Sequence, residues 1–204
     1  MEGLTFRKAT PADTDRIAEI MFEEPPSDVI GLCLDVVRAR KIGREMVRLP
    51  NSTQGWQHAV LAEADGKPAG VLQGSVNATE MKVTPRLALA ALRIYRFDVF
   101  QLLLRLLARK RLSMKAPVDA YVIAELHVDP PYRNRGIGRA MLRYAEEEAR
   151  RKGCSVMSLV THTSNPARRL YERHGFQVVE TRTDPDYERY TGIEGRLLMV
   201  KELD

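Results

Sequence analysis

The chain has little sulfur to work with. Cys33 and Cys154 are its two cysteines in 204 residues. That is too few for a disulfide scaffold, and their separation makes no metal-ligand pattern. They read as small buried hydrophobes of a protein kept in a reducing cytoplasm. An apolar leader is missing too, because "MEGLTFRKAT" has no hydrophobic region of a signal peptide. No transmembrane run is expected, since Arg93, Arg96, Asp98 and Arg105 would fall inside any apolar span of about 20 residues. Internal repeats and low-complexity tracts are absent. His58, His162 and His174 lack a spacing suited to a metal, so none is expected. A composition of 44% hydrophobic and 29% charged residues then suits one globular domain over residues 1–204.

Acids are scarce in one segment. From Lys82 to Lys115 nine basic residues face one acid, Asp98, in a chain whose net charge is +5. That segment carries about +8 and leaves the rest at about −3. The basicity belongs to one stretch and not to a general nucleic-acid surface, so no nucleic-acid partner is expected.

Periodicity and punctuation give the order of elements. "LTFRKAT" reads as a strand and "TPADTDRIAEIMFEE" as a helix, with Thr10 as cap and Pro11 at its first position. A second helical stretch covers about Ser27 to Arg48, and "PNSTQGW" is a loop. "HAVLAEADGKPAGVLQGSV" is a hairpin turned at Asp65-Gly66. "AYVIAELHV" is a strand, "IGRAMLRYAEEEARRKG" an amphipathic helix ended by Gly153, and "SVMSLVT" a strand. "NPARRLYERHG" is a short helix capped by Asn165, with Pro166 first. "FQVVETRT" and "GRLLMVKEL" close the chain as strands around a polar loop, Asp184 to Glu194. Residues 81 to 118 form a helical pair capped at Thr84 and broken near Phe97. Asp98 and Gln101 there make a variant capping box. Its apolar faces are expected to pack on the core and on each other, and Leu102 to Leu107 is apolar enough for homodimer contacts. Strand pairs first and strand–helix alternation later indicate a mixed α/β sheet.

One turn concentrates positive charge and little side chain: "VDPPYRNRGIGRAML", Val128 to Leu142. Gly136 and Gly138 let backbone approach a ligand, a helix begins there with unpaired N–H groups, and Arg133, Arg135 and Arg139 surround it. The combination favours a phosphate or pyrophosphate. A dinucleotide fingerprint would need a third glycine at Met141, and a P-loop would need a G-K-[ST] that does not follow. A tight turn with solvated arginines is the plain alternative.

The stretch "LHVDPPYRNRGIGRAML" resembles the acetyl-CoA-binding motif of the GNAT superfamily of N-acetyltransferases, [QR]-x-x-G-x-[GA], through Arg133, Gly136 and Gly138. "NPARRLYERHGF", Asn165 to Phe176, resembles that family's following motif, and the order of elements agrees along almost the whole chain. The resemblance implies a mostly antiparallel central sheet flanked by helices, with the pair at 81–118 as an insertion. It implies acetyl-CoA as donor and an amine-bearing acceptor. Backbone groups of Arg133, Asn134, Arg135, Gly136, Ile137, Gly138 and Arg139 would hold the pyrophosphate. The strand edge Leu126, His127 and Val128 would pair with the pantetheine arm, next to a splayed Ser155–Thr161 strand. Asn165 would contact the cofactor, and Tyr171 would be the acid that reprotonates the leaving thiolate.

The base is open from sequence. Alternation places Tyr121, Ile123, Glu125 and His127 on one strand face, and a bulge would break that grouping. Glu125 is the first choice and His127 the second; a salt-bridged Glu125 is the plain reading. The expected activity is direct transfer in a ternary complex to a primary amine of a small molecule or protein. The rival is a non-catalytic acyl-CoA-binding module of the same fold.

Overall fold

The alternating N-terminal run becomes strand β1 (Leu4–Lys8) in the computed structural model, which describes residues 3–49, 54–76 and 84–203. A short 3-10 turn, Pro11–Asp13, leads into helix α1 (Thr14–Phe22). The Asp13 carboxylate accepts from both ends of the Arg7 guanidinium and from the N–H and hydroxyl of Thr10, each at 2.8 Å. Arg7 foremost, these donors overcome burial and hold the Asp13 carboxyl well below the usual carboxylate range. Such a group contributes stability above its unfolded pKa and loses it as pH falls through the folded one. Asp13→Asn should therefore cost about 1–3 kcal/mol at neutral pH in denaturant melts. The gap from the parent chain should shrink only as pH falls below about 4, where the unfolded carboxyl titrates, toward the much lower folded value.

The stretch from Ser27 to Arg48 is two helices, not one: α2 (Ser27–Leu32) and α3 (Val36–Arg48). Leu34, at φ 73°, turns the chain, and Asp35 caps α3 by accepting from the Arg38 N–H at 2.8 Å. The hairpin forms as expected. Strands β2 (Ala59–Ala64) and β3 (Lys67–Val76) meet at Asp65 and Gly66, with φ of 52° and 73°, the left-handed pair that a two-residue turn requires.

Helices α4 (Pro85–Tyr95) and α5 (Val99–Arg111) follow, parted at Arg96 (φ 49°). Residues 81–83 of the expected helical segment lie outside the described residues. Thr84 caps α4, accepting from the Leu87 N–H at 3.2 Å. The capping box at Asp98 does not form: its carboxylate accepts from the Gln101 amide and from Arg38 of α3. The segment's one acid thus ties it to the body of the protein. Packing is also less complete than expected. Leu87, Tyr95, Leu102, Ala108 and Leu112 are buried, whereas Leu89, Leu92, Phe100, Leu103 and Leu107 stay exposed, as does Phe97 at 95%.

Then come strand β4 (Tyr121–Val128), helix α6 (Ile137–Arg151), strand β5 (Val156–His162), helix α7 (Arg168–Arg173), strand β6 (Gln177–Thr183), helix α8 (Pro185–Thr191) and strand β7 (Gly195–Glu202). Helix α8 replaces the expected loop. Its signals were local: Asp184 accepts from the Tyr187 N–H at 2.8 Å, Pro185 is first, and Gly192 ends it at φ 72°.

The seven strands make one sheet in the order β1-β2-β3-β4-β5-β7-β6, antiparallel throughout except for β4 against β5. The mixed, mostly antiparallel sheet flanked by helices is the architecture the sequence implied. Side chains of α6 and α7, among them Met141, Leu142 and Tyr171, share a core with Leu72, Ile123, Met157, Leu159, Leu197 and Met199 of the sheet. On the other face Ile17 and Met21 of α1 and Val47 of α3 pack with Leu61 and Val71. A third cluster, Leu32, Ala108, Leu112, Tyr187 and Ile193, joins α2, α5 and α8.

A bulge in β4 decides what faces where. Gln73 pairs with Glu125, but its neighbour Gly74 pairs with Ile123, so Ala124 has no partner across the ladder. The simple alternation read from sequence is therefore wrong. Tyr121 and Ile123 join Leu126 and Val128 on the α6 core. Glu125 and His127 turn to the opposite face, the side of Val71 and α1.

Candidate active site

Strands β4 and β5 pair only from Tyr121 with Met157 to Ile123 with Leu159. Beyond that point β4 stays with β3 and β5 with β7, so the two part. A cleft of about 1090 Å³ lies at this divergence, walled by the end of β4, the start of α6, and α7 with the turn before it. Leu126, His127, Val128, Arg133, Asn134, Gly136, Ile137, Gly138, Arg139, Asn165 and Tyr171 all line it. Arg135 and Glu125 do not. The Arg135 guanidinium sits 5.5 Å from the Tyr132 ring, and Glu125 is one hydrogen bond removed, behind His127.

The turn entering α6 is shaped by backbone geometry. Asn134 (φ 59°) and Gly136 (φ 79°) are both left-handed, which curls successive N–H groups toward one point. No side chain caps α6, so the N–H groups of its first turn face the cleft. Gly138 has a separate reason to be glycine. A Cβ there would lie 3.1 Å from Leu170 Cδ2 of α7 and 3.8 Å from Val128 Cγ2. Helix α6 therefore starts pressed against β4 and α7. Arg133 spans the cleft's outer edge, donating to the Val128 carbonyl at 3.1 Å and to Glu24 at 3.2 Å. Arg139 and Arg173 add positive charge and also border a second depression with Arg143 and Arg150. An uncapped helix start with arginines around it fits a pyrophosphate and its neighbouring phosphate.

Asn165 does less of what was expected of its cap. Helix α7 starts at Arg168, and Asn165 instead braces the turn before it: its Oδ1 accepts from the Ala167 N–H at 2.8 Å and its Nδ2 donates to Thr161 Oγ1 at 2.6 Å. Tyr171 is 6% exposed, edge-on to Phe176, and its hydroxyl has no hydrogen-bond partner among the described residues. Burial, and then the Glu125 charge, push its pKa up to about 12, so the phenol keeps its proton across the neutral range.

Glu125 and His127 form a pair, with His127 Nε2 at 2.9 Å from Glu125 Oε2. The other carboxylate oxygen accepts from Gln54 Nε2 at 2.7 Å. Burial pushes the Glu125 carboxyl up, but His127, Gln54 and the Arg109 charge outweigh it and hold it below the usual range. An ionised carboxylate on Nε2 keeps the ring proton there, which leaves Nδ1 as the nitrogen with a lone pair.

The family model for the acetyltransferase (GNAT) family matches residues 38–176, more than half of the chain. The chain belongs to the GNAT family. Among curated GNAT relatives, the ribosomal protein bS18-alanine N-acetyltransferase of Escherichia coli K12 is 31% identical over 84 residues, 41% of this chain and 56% of that protein. An uncharacterized N-acetyltransferase of Methanocaldococcus jannaschii is 34% identical over 90 residues, 42% of this chain and 35% of that one. The matches thus span about a third to just over half of these relatives' length. Among solved structures, PaiA N-acetyltransferase of Thermoplasma acidophilum in complex with coenzyme A superposes with a TM-score of 0.55 at 17% identity, covering 98% of this chain and 99% of that one. Ard1 of Thermoplasma volcanium gives 0.57 at 15% identity, covering 99% of each. At these identities the structures speak for the GNAT fold alone.

Two site residues escaped the sequence. Gln73 is 1% exposed, and its amide donates to the Gln54 and Gly55 carbonyls at 3.1 and 3.2 Å, fixing the segment that brings Gln54 to Glu125. A glutamine inside the apolar run "AGVLQGSV" was the available signal. Gln54 itself carried none. Among the described residues no cluster of three His, Cys, Asp or Glu side chains could hold a metal, and no helix is long and apolar enough to cross a membrane.

Proposed function

We propose that the chain transfers an acetyl group from acetyl-CoA to a primary amine, directly and in a ternary complex. The observation that carries this reading is the meeting of the uncapped α6 start, the β4–β5 divergence and the unbonded Tyr171 hydroxyl in one cleft. Acetyl-CoA, when bound, supplies an acyl group activated as a thioester. The first turn of α6, Ile137 to Arg139, holds the pyrophosphate through its N–H groups, with Arg139 alongside. The free edge of β4 from Leu126 to Val128 aligns the pantetheine arm, and its backbone N–H near Val128 faces the carbonyl oxygen. His127 takes a proton from the acceptor amine through Nδ1. Glu125 positions that ring and balances its charge. Tyr171 gives its proton to sulfur as the C–S bond breaks. Cys33 and Cys154 take no part: neither lines the cleft.

Acetyl-CoA binding by calorimetry and thiol release against a panel of amines test this directly; no binding of either acetyl-CoA or CoA would sink it. Glu125→Gln should lower kcat about 10- to 100-fold, because His127 loses the carboxylate that fixes its ring proton on Nε2. Coenzyme A binding without thiol release for any amine would instead favour a non-catalytic acyl-CoA-binding module.

A further inference from the structure

The sheet beyond the divergence carries too many polar groups for a covered face. On the side away from α6 stand Gln73, Glu125 and His127, then His162 and Arg196 on β5 and β7. A sheet face roofed by helices is normally apolar. Here two buried atoms have no hydrogen-bond partner among the described residues: Gln73 Oε1 and Arg196 Nε. Buried polar atoms are nearly always paired, so a group of unpaired ones on one face marks a place for a polar ligand.

Charges of both signs converge on it. Arg196 stands directly across the β5–β7 ladder from His162, and His162 lines the cleft. Burial first, and then repulsion from Arg109 of α5, bring the Arg196 guanidinium down to about 10, against the pull of Asp28 and Glu125. Both carboxylates already have partners. Glu125 accepts from His127 and Gln54, and Asp28 accepts from the Tyr187 hydroxyl at 3.3 Å. Two arginines thus share anions that are committed elsewhere, in a region where an unpaired cation is costly.

We propose that the acceptor is a zwitterion: its reacting amine and a carboxylate stand a few bonds apart, the carboxylate held by Arg196 with Arg109 and the amine delivered to His127. This rests on the acetyltransferase reading above and narrows its acceptor. A polyamine would bring a second cation against the two arginines, and a simple amine would leave Arg196 unpaired. In the transfer a C–N bond forms to the acetyl carbon and the thioester C–S bond breaks. The acceptor ammonium gives up one proton to solvent and a second, from nitrogen, to His127 as it attacks, and Tyr171 gives one to sulfur, leaving the N-acetyl acid and free thiol.

The test uses matched acceptors: each free amino acid, its amide and its decarboxylated amine, together with peptides bearing an N-terminal Asp or Glu. A charge-assisted pair to a guanidinium predicts kcat/KM about 10- to 150-fold higher for the carboxylate member of a set. In Arg196→Gln that ratio should fall toward one, with Arg196→Lys intermediate and Arg109→Gln reducing it as well. Coenzyme A affinity, read by calorimetry, reports that each variant is folded. Preference for the peptides over free amino acids would assign the carboxylate to a chain-end side chain. Amides or simple amines used as well as the acids, or an Arg196→Gln loss equal across each set, would overturn the proposal while leaving the acetyltransferase standing. Arg196-dependent binding of the acids to the coenzyme A complex without any thiol release would uphold the zwitterion site and overturn the catalytic reading.

Discussion

Replacing Tyr171 by Phe should lower kcat roughly 10²- to 10⁴-fold, the range in which a positioned proton donor acts, with acetyl-CoA affinity held near that of the parent chain. The variant is a clean one. The Tyr171 hydroxyl bonds to nothing among the described residues, while the ring is 6% exposed and edge-on to Phe176. Phe keeps that packing, so stability should move by less than about 1 kcal/mol. Burial lifts the phenol to about 12 and thereby keeps it protonated until it is needed. The same dry surroundings make a bare thiolate expensive, so the proton moves as the C–S bond opens. Stopped-flow thiol detection at saturating donor and acceptor reads the effect. An unchanged kcat would remove Tyr171 as the acid and hand that role to water.

Gly138→Val should weaken acetyl-CoA binding by on the order of 10³-fold. Already a methyl group there would press Leu170 at 3.1 Å, and a branched side chain must displace either α7 or the start of α6. A shift of the helix start moves two or three N–H donors off the pyrophosphate, each worth about 1.5–3 kcal/mol as a charge-assisted bond. The helix itself should survive, because the valine costs only a few tenths of a kcal/mol more than most residues in helix propensity. Calorimetry with coenzyme A checks the affinity and circular dichroism the fold. Wild-type affinity in a folded variant would mean that the cradle does not hold the donor.

Much of this was legible in local sequence. Arginines and glycines at a strand-to-helix turn pointed to the anion site proposed from Arg133 to Arg139 because unpaired helix N–H groups and missing side chains are local properties. Thr84, Asp65-Gly66 and Gly153 marked their boundaries for equally local reasons. Where one residue can reverse the chain, the reading failed. Leu34 split one expected helix into two, and a single extra residue at Ala124 turned Glu125 and His127 away from Tyr121. Helix α8 was readable from Asp184, Pro185 and Gly192, yet its polar composition hid it.

The sequence by itself determined the parts proposed here for the donor side: a basic, glycine-bearing turn, a strand edge and a tyrosine at the spacing of two GNAT motifs. Each depends on residues within one or two turns of one another, and backbone stereochemistry acts over that range. Only the tertiary structure brought together the groups proposed for the acceptor side. Gln54, Gln73, Glu125, Arg109 and Arg196 come from five separate segments, and no local rule relates them. They meet because a bulge sets the face of β4 and a strand order places β7 beside β5. Their energies depend on shared burial, which a chain acquires only when distant segments exclude water together.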